Sequence, residues 1–136
     1  MTEKFNLSIN GHIKIISSKD NKILFEQHNQ IESDALEIIT RCMSQVDFNK
    51  SVDKIKAYGN FLSTEREVFF VNYTPSTNTM LFRATFMEFD FDGTIDKLEL
   101  RSSALNKVFA MKEGLSILKD AQSRVQIDWS ITVTSC

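Results

Sequence analysis

The stretch Phe86-Met-Glu-Phe-Asp-Phe-Asp-Gly-Thr-Ile95 holds the chain's most suggestive chemistry. Asp90 and Asp92 stand one residue apart at the end of an apolar run, and Gly93 follows to turn the backbone. Hard divalent cations take carboxylate oxygens, and a Ca²⁺ loop of about 12 residues spaces such groups at alternate positions around a glycine turn. Set in that register, Glu88, Asp90 and Asp92 take the first three ligand positions, Gly93 makes the turn, Asp96 sits ninth and Glu99 twelfth. Two features oppose a metal. Glu is unusual in the first position, and the motif needs a helix on each side, whereas Thr79–Phe86 alternates like a strand. No second loop exists to pair with it. The plain reading is a solvated acidic hairpin across Asp92-Gly93. No catalytic residue, cofactor or metal is expected; Glu88, Asp90, Asp92 and Glu99 are the ligands a metal would have to use.

The same residues resemble the first motif of haloacid-dehalogenase-type phosphatases, an apolar strand followed by Asp-x-Asp-Gly-Thr. The resemblance implies Asp90 as phosphoryl acceptor and Asp92 as acid/base, with Mg²⁺ bridging to the phosphate. That family places the motif near the start of a Rossmann-like domain with a long stretch of chain after it. Here the short remainder beyond Gly93 reads as strands and lacks a paired acidic motif, so no enzyme is expected. His12 and His28 lie far apart in sequence, and a zinc site would need both plus a carboxylate from elsewhere. No G-x-S-x-G elbow occurs, and 4 glycines leave no phosphate-cradling loop. A glycan-binding loop would have to draw on Tyr73, Phe61 and Asp90.

The elements that would position these groups are mostly strands. Val125, Ile127, Trp129, Ile131 and Val133 alternate with polar residues, which predicts a long half-buried strand over 124–134 with Trp129 as a core plug. Phe5, Leu7 and Ile9 alternate likewise, and Asn10-Gly11 predicts a hairpin turn with a return strand from His12 to Ile16. Residues 17–21 read as a loop before a strand over 22–27. The period then changes. Ile31, Ala35, Leu36, Ile38, Ile39, Cys42, Met43 and Val46 form one helical stripe, capped by Asn29, Ser33 or Asp34. Strands are expected again over 52–58, 68–73, 79–89, 94–100, 105–111 and 115–118. The phase slip after Phe86 suggests a β-bulge near Met87 or Glu88. The fold class is therefore mostly β, an antiparallel β-sandwich or flattened barrel, with one amphipathic α-helix near residues 31–46. No repeat or linker divides residues 1–136, which read as a single domain.

Composition narrows the function classes. The chain has 136 residues, 25% of them charged, a net charge of −2 and 11 phenylalanines. Lys and Arg are dispersed, which gives no electrostatic footprint for nucleic acid. No apolar run approaches the roughly 20 residues of a membrane span. The N-terminal residues lack the apolar core of a signal peptide, so synthesis in the cytoplasm is expected. The 2 cysteines are too few for a disulfide framework.

Placed in order, several segments resemble small virion structural proteins of tailed bacteriophages, including the crAss-like type. They are Asn29-Gln-Ile31 with the helix to Val46, Ile55-Lys-Ala-Tyr-Gly59, Phe82-Arg-Ala-Thr-Phe86, Asp92-Gly-Thr-Ile95, Lys112-Glu-Gly-Leu-Ser-Ile-Leu-Lys119 and Ile127-Asp-Trp-Ser-Ile131. The acidic, Asn-rich loops that usually flank the Gly block are short here. The resemblance implies a non-enzymatic β-sandwich subunit in the virion, in a neck, collar or tail, assembling with copies of itself and with portal, tail or capsid proteins. A capsid decoration protein or a carbohydrate-binding host-surface adhesin is the alternative.

Overall fold

The computed structural model describes residues 7–44 and 51–135. It is mostly β, as the alternation predicts: one curled antiparallel sheet forms a half-barrel, and among the described residues a single helix lies against it. The strands are β1 Leu7–Ser17, β2 Lys22–Ile31, β3 Lys54–Gly59, β4 Leu62–Glu67, β5 Phe70–Thr74, β6 Thr79–Phe86, β7 Gly93–Ile95, β8 Lys97–Ser102, β9 Lys107–Lys112, β10 Ile117–Lys119 and β11 Val125–Ser135. Nine form one sheet in the order β4-β3-β8-β9-β2-β1-β11-β6-β5, and β7 pairs with β10 apart from it.

Strand β2 makes the curl. Residues from Lys22 to Asn29 pair with β1, while Gln30 and Ile31 pair with Met111 and Ala110 of β9. One strand thus belongs to both halves of the sheet. The outermost strands, β4 and β5, are consecutive in the chain. Val68 and Phe69 join them, their N–H groups donating to Asp53 O at 2.9 Å and Arg83 O at 3.2 Å. The inner faces then share one core, with Ile13, Ile15, Phe86, Ile127 and Trp129 from one half and Ile55, Leu98 and Leu100 from the other, all buried.

Strand β11 is the strand that the period of two predicts, and Trp129 is fully buried. Other expectations need correction. Asn10-Gly11 is not a turn: residues 7–17 form one unbroken strand paired along its length with β11. Gly11 serves packing instead. A Cβ there would collide with the side chain of its cross-strand neighbour Asn29. Asn29 is no helix cap either. Its Oδ1 accepts the indole N–H of Trp129 at 3.0 Å, so the buried tryptophan keeps a polar partner.

Helix α1 spans Asp34–Met43 with Ser33 at its N-cap position. Ile31 belongs to β2, and Val46 lies outside the described residues. Ala35 and Ile38 are buried, while Leu36 and Met43 face solvent. Strand β4 carries no apolar alternation, so the period rule passes over it. The expected bulge near Met87 is instead the end of β6 and a turn through Asp90. Asp92-Gly93 closes no hairpin, because β6 pairs with β5 and β11 while β8 pairs with β3 and β9. Residues 87–96 cross from one half of the sheet to the other. The strand expected over 94–100 breaks at Asp96, whose N–H donates to Tyr58 O at 2.9 Å and whose carbonyl accepts from Leu115 N–H at 3.0 Å.

Candidate functional site

The crossover at 87–96 carries the acidic residues singled out above, and its geometry shows what they do. The Asp90 carboxylate accepts the Met87 N–H at 2.6 Å and forms an ion pair with Arg66 of β4. The Asp90 carbonyl accepts the Thr64 hydroxyl at 2.9 Å. Burial works against the charged carboxylate, but Arg66 and the Met87 N–H outweigh it and hold Asp90 below the ordinary range. Glu88 meets the Arg124 guanidinium through both carboxylate oxygens, each at 3.2 Å. Its carbonyl accepts from Lys119 Nζ at 3.0 Å, and Lys119 also donates to Asp120 O at 2.8 Å. Lys119 is fully buried. Burial pushes its ammonium down, and Asp90, Asp120 and Glu88 pull it back. Asp92 is exposed.

Glu99 sits elsewhere, on the outer face of β8. It accepts from the Tyr58 hydroxyl at 2.6 Å and from Arg101 at 2.8 Å, with Lys97 at 3.3 Å. Burial alone would raise its carboxyl, but these three donors keep it low. Burial and the Glu99 carboxylate push the Tyr58 phenol up to about 12. Lys56 and Lys97 each lie 4.9 Å from the centre of the Tyr58 ring.

The structure therefore brings Glu88 and Asp90 onto one turn and gives each of them, and Glu99, a cation of this chain. Strands flank the segment, so the helices of a Ca²⁺ loop are not there. Among the described residues no group of three His, Cys, Asp or Glu is placed to hold a metal ion. A paired carboxylate locked to arginine and to a backbone N–H does structural work: it fixes the crossover against β4 and β10.

His12 and His28, remote in sequence, are cross-strand partners with ring centroids 5.6 Å apart, and Glu26 Oε2 lies 3.3 Å from His12 Nε2. Pairing of β1 with β2 produces this trio, which no local spacing could reveal. The glycan-binding candidates do not form a cluster on one loop. Tyr73 lies on β5 and donates to Asn78 Oδ1 at 3.0 Å, Asp90 is engaged as described, and Phe61 projects from the β3–β4 turn.

An apolar cleft of about 290 Å³ lies between α1 and the sheet, lined among others by Ile38, Ile39, Cys42, Met80, Phe82 and Phe109. Its side chains are apolar apart from the Cys42 thiol and the Ser51 hydroxyl, so its chemistry is chiefly that of apolar contact. Among the described residues no helix is long and apolar enough to cross a membrane.

No family model, curated protein or solved structure matches this chain.

Proposed function

We propose that the chain is a non-enzymatic structural subunit that assembles through protein–protein contacts in the virion of a tailed bacteriophage, at the neck, collar or tail. One observation carries the assembly role: large apolar side chains stand in solvent on several elements. Phe61, Phe89, Met43, Leu118, Leu36 and Phe69 are each more than 60% exposed. Scattered single apolar residues are ordinary on a surface, but many large ones favour a protein that buries them against others. The ion-paired acids support the non-enzymatic part, since their charge is committed to the fold. The particle itself comes from the ordered segments that resemble virion proteins.

Two measurements test this reading. Light scattering on the purified protein at micromolar concentration should give a multimer, and mass spectrometry of purified particles should find the chain. A monomer at all concentrations, absent from particles, removes the proposal.

A further inference from the structure

Strand pairing brings together two imidazoles and a carboxylate that the sequence keeps apart. His12 of β1 stands directly opposite His28 of β2, and Glu26 lies two residues along β2 from His28. Ile13 and Ile15 are buried on the inner face of β1. Side chains alternate across a strand, so His12 and its cross-strand partner face outward.

The spacing suits a borderline divalent metal. In a tetrahedral zinc shell the ion lies about 2.0–2.1 Å from each nitrogen or oxygen ligand, which sets neighbouring ligand atoms about 3.3 Å apart and the centres of two ligating imidazoles about 5–5.5 Å apart. Here Glu26 Oε2 is 3.3 Å from His12 Nε2, and the two ring centres are 5.6 Å apart. A charged N–H···O bond closes to about 2.8 Å. The His12–Glu26 contact is therefore loose for an ion pair, and it matches the edge between two ligands of one ion.

We infer that His12, His28 and Glu26 form a site for Zn²⁺ or a metal of similar chemistry, with water in the fourth position. The rings stand at 73° to each other, and the three groups do not converge on one point as they are. His28 is exposed, so its ring is free to change rotamer and aim a nitrogen at the His12–Glu26 edge, while the strand register holds all three residues in place. Imidazole selects Zn²⁺, Ni²⁺ and Cu²⁺ over Mg²⁺ and Ca²⁺. Lys14 stands opposite Glu26 and competes with the ion for its carboxylate, which keeps affinity in the micromolar range. The bound ion would tie β2 to β1 where β2 needs it. From Lys22 to Asn29 the strand pairs with β1 alone, and β9 joins it only at Gln30 and Ile31. The site is independent of the assembly reading.

Calorimetric titration of the purified chain with ZnCl₂ should show one ion per chain. With a dissociation constant of about 10 μM, free Zn²⁺ at about 100 μM should raise the melting temperature by about 5 °C. MgCl₂ should do neither. Ring-proton NMR signals of both histidines should move with the zinc titration. His28→Gln alters an exposed side chain and should leave the metal-free melting temperature unchanged while weakening zinc at least about tenfold. Glu26→Gln should weaken it by a similar factor, and Lys14→Ala should tighten it. Zinc held with equal affinity by His28→Gln would be an adventitious ion only, at the Cys42 thiol or elsewhere, and would overturn the inference. So would a wild-type chain that binds no zinc at about 100 μM, or an affinity indifferent to Glu26→Gln.

Discussion

Two turns present a phenylalanine to water, and they differ in every other respect. At Met87–Asp90 both acidic side chains are engaged. Asp90 holds the Met87 N–H and Arg66, Glu88 holds Arg124, and Lys119 reaches in to the Glu88 carbonyl. No residue of that turn adopts a left-handed backbone, and Phe89 is exposed without strain. At Asn60–Phe61 both residues are left-handed, and no described hydrogen bond secures either side chain. The contrast teaches where to look for function here. The turn richest in reactive groups has spent them on holding two halves of a sheet together. The turn that looks plain in the sequence is the one that holds a bulky residue in a left-handed backbone.

The largest effect that would sharpen this comparison sits at the base of the strained turn. A Cβ on Gly59 would run into the Thr94 backbone carbonyl, which cannot swing away as a side chain can. Gly59→Ala should cost about 3 kcal/mol in urea unfolding. A neutral result would mean that β3 and β7 are not in such close approach. Next comes a reference for both turns, in the middle of the sheet. Asn29→Ala orphans the Trp129 indole N–H and should cost about 2 kcal/mol, with Trp129 fluorescence reporting the altered surroundings.

Asp90→Ala breaks the secured turn and should cost about 1.5 kcal/mol at neutral pH. Because folding lowers the Asp90 pKa, its contribution is complete above the ordinary aspartate value and is lost as pH falls through the lower folded value. The melting-temperature gap between wild type and Asp90→Ala should therefore close in acid. A gap that stayed constant down to pH about 2 would show that the Asp90 charge is not what holds the turn. The smallest effect is at Phe89. Its side chain is 90% exposed on an unstrained backbone, so Phe89→Ser should shift stability by less than about 0.5 kcal/mol. A clear gain in stability there would place Phe89 under strain as well and erase the distinction between the turns.

Much of the architecture could be read from alternation alone. Strand β11 declares both its phase and its buried tryptophan, and the change of period at residue 31 announces a helix, although tertiary pairing keeps Ile31 in β2 and starts the helix at Asp34. What failed were the readings that trusted local turn chemistry. Asn10-Gly11 and Asp92-Gly93 are strong hairpin dipeptides, yet one lies within a strand and the other in a crossover. Gly11 is there because Asn29 needs its space, and that requirement comes from a partner strand. Strand β4 is not legible in the sequence because Ser63, Glu65 and Glu67 on one face and Thr64 and Arg66 on the other leave no apolar period. The His12–His28 pair and the Phe61 strain were equally hidden. Register sets the first and backbone dihedrals the second, and neither is written in residue spacing.

Strands β1 and β11 are paired from Leu7↔Ser135 to Ser17↔Val125, though more than 100 residues of chain separate them. During synthesis the middle of the sheet must wait for β11 to leave the ribosome, and until then β1 has only β2 and β6 only β5 beside it. A ribosome that stalled before Val125 would release a chain with two bare edges and no centre, a product for chaperones and proteases to intercept. The core closes only when Val125–Ser135 settles between β1 and β6.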